Sequence, residues 1–307
     1  MKKWYYLVAS LIFILSLSCS QKQDKIDSNT IITSIFPIYD FTKQIIKNTG
    51  FTAKMILPPA VDAHTYEPKP RDIIAIKNAK LFVYIGKNME PWAHRLAKTH
   101  VSKNKTINIL DKLLKSKIIK KQNHHGDHDH KIDPHVWVNP TIAITIIDVL
   151  YNNFKKLNSI NKPILLKNVV AYKNKLTQLH ASLNKRLQSC KFRTVMYAGH
   201  FVFNYFTKQY NLQHIVPYKS YSGNAEPTPK LVAAFINKVK KLQVKYIFYG
   251  ELIKPRIAKL VARETGAKLL LLHGIHNVSK DEFKKNITYI SIMKQNRKAL
   301  RLGLQCK

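Results

Sequence analysis

"NKPILLKNVVAYKNKLTQLHASLNKRLQS" occupies residues 161–189, and its reading decides the fold. Pro163 stands near its start, and neither Gly nor Pro interrupts it afterwards. Leu165, Leu166, Val169, Val170, Tyr172, Leu176, Leu179, Leu183 and Leu187 recur mostly three or four residues apart, the period of one helical face. The spacing predicts a single helix of about 40 Å at 1.5 Å per residue.

On both sides of this segment short apolar runs alternate with helical patterns. Upstream, "TIITSIFPI", "FTAKMIL", "KLFVYIG" and "KTINIL" have strand character. Between them lie the helical stretches "YDFTKQIIKNTG", with Gly50 as a C-cap, "PRDIIAIKNA" and "MEPWAHRLAKTH". "NPTIAITIIDVLYNNFKKLN" then forms a helix, with Asn139 as N-cap and Pro140 in its first turn. Downstream, the strands "FRTVMYAG", "LQHIVPY", "VKYIFYG" and "AKLLLL" alternate with "HFVFNYFTKQYN", "EPTPKLVAAFINKVKKLQ" and "KPRIAKLVARETG". A last helix runs through "SKDEFKKNITYISIMKQNRKALRLG". Strands alternating with helices specify parallel sheets covered on their faces. The expected class is α/β, with two lobes, each a mostly parallel sheet flanked by helices. One long rigid helix joins them, and the ligand site lies in the cleft between. The expected boundaries are 30–160 for the first lobe, 161–189 for the linking helix and 190–307 for the second lobe.

Residues 1–18 read as a signal peptide: Lys2 and Lys3, an apolar run from Trp4 to Leu17, then a small residue before Cys19. The Ser-Cys junction resembles a bacterial lipobox, which implies cleavage before Cys19 and lipid on its sulfur. Residues 19–29 are then a lipidated tether, polar and poor in large apolar groups. The chain is expected to be exported and lipid-anchored at the cell surface or in the periplasm. Cys190 and Cys306 remain in the exported part. An oxidising compartment permits a bridge between them, and two free buried thiols are the alternative.

The formal charge is +35. The basic residues spread over the whole length and no recognition motif accompanies them, so nucleic acid is not an expected partner. Lys, Asn, Ile and Tyr are over-used together, as AT-rich codons would give. The charge favours an anionic membrane surface by about 1 kcal/mol per well-placed Lys.

Four histidines stand at strand ends or helix starts: His64 in "LPPAVDAHTYEPKP", His135 in "DPHVWVNP", His200 in "MYAGHFVFNYF" and His273 in "LLLLHGIHNVS". Two fall on each lobe, which suggests one metal ion gripped from both sides. Imidazole nitrogens suit Zn2+, Cu2+ or Ni2+, whereas Mn2+ and Ca2+ prefer carboxylate oxygens; Zn2+ accepts a tetrahedral set of four. Four protein ligands close a tetrahedral shell and leave no position for a reacting water. Asp62, Asp133 and Glu67 are candidate acceptors that fix the imidazole tautomers. The loop 121–131 carries His124, His125, His128 and His130, an expected auxiliary site of weak metal capture, since a loose loop must be ordered to chelate. No H-E-x-x-H occurs, and "HTYE" at 64–67 lacks a second His, so an enzyme is not expected.

"DAHTYEPKPRDI", "DPHVWVNP", "HFVFNYFTKQYNL", "AEPTPKLVAAF" and "ETGAKLLLL" together resemble the zinc/manganese family of ABC-transporter substrate-binding lipoproteins over nearly the whole exported chain. The resemblance implies capture of Zn2+ as cargo and delivery to a cognate ABC permease by a monomeric, membrane-anchored protein. His64, His135 and His200 match the family's first three ligand positions. Histidine in the third position, where manganese-type members tend to have Glu, favours zinc. The fourth position is His273 by alignment, with His276 or Glu67 as alternatives. A manganese or iron carrier, or a surface adhesin on the same fold, is the competing expectation.

Overall fold

The computed structural model describes residues 27–120, 132–218, 227–251 and 255–307. The expected signal segment, Cys19 and the histidines of the 121–131 loop lie outside the described residues.

The first lobe is built on four parallel strands: β1 (Thr30–Thr33), β2 (Thr52–Met55), β3 (Leu81–Tyr84) and β4 (Thr106–Asn108), in the order β2-β1-β3-β4. Ile31 pairs with Ala53 on one side and Leu81 on the other, and Val83 pairs with Ile107. The central strands TIIT and LFVY are buried at every residue, as a sheet covered on both faces requires. Helices α1 (Phe36–Ile45), α2 (Pro70–Asn78) and α3 (Pro91–Thr99) make the crossovers. Each carries Pro in its first turn, where a missing N–H costs nothing.

The second lobe repeats the plan. β5 (Thr194–Met196) pairs with β6 (Gln213–Ile215), and β7 (Tyr246–Tyr249) with β8 (Lys268–Leu271), all parallel. A parallel bridge between Tyr197 and Phe248, with the Ala198 N–H donating to the Phe248 carbonyl at 2.8 Å, joins the pairs in the order β6-β5-β7-β8. Both sheets therefore reverse strand order between their first and third strands, the position where α/β sheets open a ligand crevice. Helices α7 (Asn204–Gln209), α8 (Pro229–Lys241) and α9 (Arg256–Thr265) flank this sheet. Gly266, at φ +71°, ends α9 in the left-handed conformation that a C-cap glycine supplies.

The long helix is α6 (Lys162–Gln188), capped by Asn161, whose side chain accepts the Ile164 N–H. Its buried stripe runs from Leu165 through Val169, Tyr172, Leu176, Leu179 and Leu183 to Leu187. It packs on α1, on α5 (Pro140–Phe154) and on α11 (Tyr289–Gly303). One apolar core runs without a break from β1 to Leu304, and a smaller one around Phe235, Ile247 and Val261 lies beneath the outer second lobe. The continuous core resists a wide hinge, since opening it would expose close-packed side chains.

Four elements depart from the sequence reading. Helix α1 is capped at Ile46, four residues before the expected Gly50. The stretch read as a strand through Leu110 turns into a short helix, α4 (Ile109–Lys115), because the Asn108 side chain accepts the Asp111 N–H and caps it. The segment from His200 is helical only from Asn204. The last helix is two: α10 (Lys280–Lys284) ends where Asn286 adopts φ +51°, and Thr288 caps α11 through Ser291. Cys190 and Cys306, 116 residues apart, form a disulfide. It ties the end of α6 to the chain's end, and closing a loop of this length stabilises a fold by about 4–5 kcal/mol in the chain-entropy treatment.

Candidate metal centre

His64 leaves the loop after β2. Asp62 Oδ1 accepts the N–H groups of His64 (2.8 Å) and Thr65 (3.2 Å), which fixes the turn. The second lobe holds this loop from the other side: Asn277 Nδ2 donates to the carbonyls of Pro58 (2.6 Å) and Val61 (2.9 Å), and Ala60 N–H to that of Val278 (2.8 Å).

His135 is fully buried. Its N–H (3.0 Å) and its Nδ1 (2.7 Å) both reach Asp133 Oδ1. That bond puts the ring proton on Nδ1 and leaves the Nε2 lone pair free. Asp133 is anchored in turn by Asn204 Nδ2 at 2.8 Å, and its carbonyl accepts the Tyr205 hydroxyl at 3.1 Å. The Trp137 ring lies 5.5 Å from those of His135 and His276, and its indole N–H donates to the Gly274 carbonyl at 2.8 Å.

His200 follows β5 on a non-helical step before α7, so its ring is free to face the first lobe. His276 follows β8 after a turn through Gly274 and Ile275. Ile275, a β-branched residue, is held buried at φ +63°, a strained conformation of the kind that collects at functional sites. A Cβ on Gly274 would meet Val202 at 2.8 Å and the His276 ring at 3.0 Å, so only glycine fits there. The His276 Nδ1 lies 3.1 Å from Glu251 Oε1, and Glu251 Oε2 accepts the Gly274 N–H at 2.6 Å.

These four rings converge. One ligand atom from each of His64, His135, His200 and His276 lies within 4.8 Å of the others. His135 Nε2 and His200 Nε2 are 3.4 Å apart. Two nitrogens on a tetrahedral zinc at 2.0–2.1 Å would stand about 3.3–3.4 Å apart, so this pair already has the required spacing. The Nε2 atoms of His64 and His276 are buried with no hydrogen-bond partner. Burial pushes the His64 imidazolium down to about 4, helped by His276 and opposed by Asp62 and Asp133. Burial, then the His135, His276 and His64 rings, push His200 down to about 2. Burial holds His135 well below its ordinary value too. Three neutral imidazoles at pH 7 therefore aim lone pairs at a common point. A cation there removes their mutual repulsion.

Of the rings expected at the fourth position, His276 joins the group and His273 does not. His273 is buried but outside the group: its N–H donates to Asn296 Oδ1 and its carbonyl accepts from Asn296 Nδ2, both at 2.8 Å. Its Nδ1 accepts the Ile275 N–H at 2.9 Å. Asn296 thus pins His273 into the core, and the left-handed turn swings His276 into the centre. Glu67 is 78% exposed and faces Arg95 at 3.7 Å, away from the group. Asp62 holds the backbone of the His64 loop. Glu251 was not anticipated. It stands just past β7, as His200 stands just past β5, and that shared position is the signal that would have found it.

The family model described as zinc-uptake complex component A, periplasmic, matches residues 31–303. Zinc-binding lipoprotein AdcA of Streptococcus pneumoniae is 30% identical over 309 residues, which cover 98% of this chain and 61% of that protein. The chain thus spans less than two thirds of that relative. High-affinity zinc uptake system protein ZnuA of Bacillus subtilis is 32% identical over 329 residues, covering 100% of this chain and 99% of that one. The solved Zn(II)-bound ZnuA-like domain of S. pneumoniae AdcA superposes with a TM-score of 0.72 at 27% identity, covering 90% of this chain and 98% of the domain.

Proposed function

This chain belongs to the zinc-uptake complex component A family, and on that premise we propose that it binds Zn2+ between its lobes and passes it to an ABC permease. The observation that carries the reading is the group of four imidazoles drawn from four separate segments, two on each lobe. An all-nitrogen set favours Zn2+ over Mn2+, whose preferred ligands are carboxylate oxygens. With four protein ligands the shell is closed, so the ion is held as cargo and not as a catalyst. The ligands are His64, His135, His200 and His276. Lipid on Cys19 keeps the protein at the membrane as a monomer beside its permease, and the histidines of the 121–131 loop are weak accessory ligands.

Release proceeds by small loop movements. The bonds from Asn277 to Pro58 and Val61, and from Trp137 to Gly274, cross between the lobes and oppose a wide opening. Crystal structures with and without zinc are expected to superpose with lobe rotations of only a few degrees; a large rigid-body closure would count against this release step.

The test is titration of chelator-stripped protein with zinc against a chromophoric competitor, with Mn2+ in parallel. One tight zinc per chain is expected, surviving deletion of 121–131, with Mn2+ far weaker. Equal affinity for the two metals, or no tight zinc, would contradict the reading.

A further inference from the structure

We propose that Glu251 is the positioning residue of the metal centre: its carboxylate selects His276, and not His273, as the fourth ligand. This rests on the zinc reading above and deepens it. Two imidazoles stand beside the same carboxylate. Glu251 Oε1 lies 3.1 Å from His276 Nδ1 and 3.6 Å from His273 Nδ1. The His273 Nδ1 lone pair already accepts the Ile275 N–H, so that nitrogen carries no proton to donate. His276 Nδ1 has no such engagement and donates to Glu251, which turns its Nε2 lone pair toward the other three rings. The second oxygen of Glu251 takes the Gly274 N–H at 2.6 Å, so one side chain fixes both the ring and the turn that carries it. The turn needs fixing, because Ile275 is held at φ +63°. Glu251 also stands opposite Asp133, which does the same for His135. Its negative charge lies one imidazole away from the dication and strengthens the ligand's donation.

An amide at 251 cannot replace the carboxylate. It has one acceptor oxygen for three N–H groups, those of the Gly274 and His276 backbone and of the His276 ring, and its NH2 would face a donor. Aspartate is one methylene too short to reach them all.

The experiment compares the parent with E251A, E251Q, H276A and the double variant E251A/H276A. Zinc affinity is read by chelator competition, and coordination by the visible absorption of the Co2+-loaded protein. E251A is expected to weaken zinc about 10- to 100-fold, with E251Q in between. Both are expected to lose intensity in the tetrahedral Co2+ bands, a change that a purely structural defect would not produce. The double variant is expected to bind no more weakly than H276A, because Glu251 acts through that ring. Additive losses, or an E251Q protein with parent affinity and spectrum, would overturn the proposal; E251Q serves alone where E251A does not fold. Should H276A match a tightly binding parent, this inference falls and the zinc reading stands. A parent that binds no zinc overturns both.

Discussion

His135 and His276 face each other across the centre, 5.0 Å between ring centroids, and each gives its Nδ1 to a buried carboxylate. They differ in how far along the chain that carboxylate lies. Asp133 is two residues from His135, in a rigid Asp-Pro-His turn, and one oxygen takes both the backbone and the ring of the same residue. Glu251 is 25 residues from His276, just past the neighbouring strand β7, and must hold a strained turn as well as a ring. The first half of the centre is built locally, the second by the sheet. The local half is visible in sequence and tolerant of small shifts elsewhere; the other depends on the register of β7 and β8.

The largest expected effect comes from deleting a ring on either side. Structural zinc sites bind with about 10–16 kcal/mol, so one of four ligands is worth about 3 kcal/mol, or a 100- to 1,000-fold loss of affinity. H135A and H276A are both expected to fall in that range by competition titration; an effect confined to one of them would show that the two rings do not hold the same ion.

Removing the local carboxylate comes next. D133A is expected to weaken zinc about 10- to 100-fold. It also leaves Asn204 Nδ2 without the acceptor it has at 2.8 Å, so the melting temperature of the metal-free protein should drop with it. An unchanged affinity would show that Pro134 and the packing around His135 orient the ring without the carboxylate.

Acid provides a third contrast. Burial depresses His64 to about 4, His200 to about 2 and His135 well below its usual value, so at neutral pH these rings have no proton for zinc to displace. Three ordinary imidazoles would each lose about tenfold between pH 7.5 and 5.5. Here these three rings are expected to add little to the loss over that window, and a 1,000-fold loss would contradict it. The sign for folding runs the other way from a paired histidine. Depressed imidazole pKa values mean that the unfolded chain binds more protons below 6.5, so the metal-free protein loses stability as pH falls through 6.5 toward 4. Denaturant melts at pH 7 and 5 check this.

The smallest effect is expected at His273. H273N should leave zinc affinity within about twofold, because the ring is outside the group. Any cost should appear in stability, through the loosened packing of a buried residue.

The strands, the long helix and three of the four rings were legible because each is encoded locally. α6 announces itself by its apolar period and its freedom from Gly and Pro, and His135 by the prolines on either side. What escaped was non-local. Nothing near residue 276 says that Asn296, twenty residues on, clamps His273 out of reach. The break between α10 and α11 depends on Asn286 turning left-handed and on Asp40, from the first lobe, accepting the Tyr289 N–H at 2.9 Å. Neither is a pattern in adjacent residues. The short helix α4 was a local signal passed over, since Asn108 followed by Asp111 is a capping pattern.

In the proposed centre, rings from both lobes share one ion. X-ray absorption at the zinc edge of the singly loaded protein tests it most directly. Four nitrogen neighbours at about 2.0–2.1 Å, with the outer-shell scattering of four imidazoles, are expected. A shell dominated by oxygen, or scattering from two imidazoles or fewer, would contradict it.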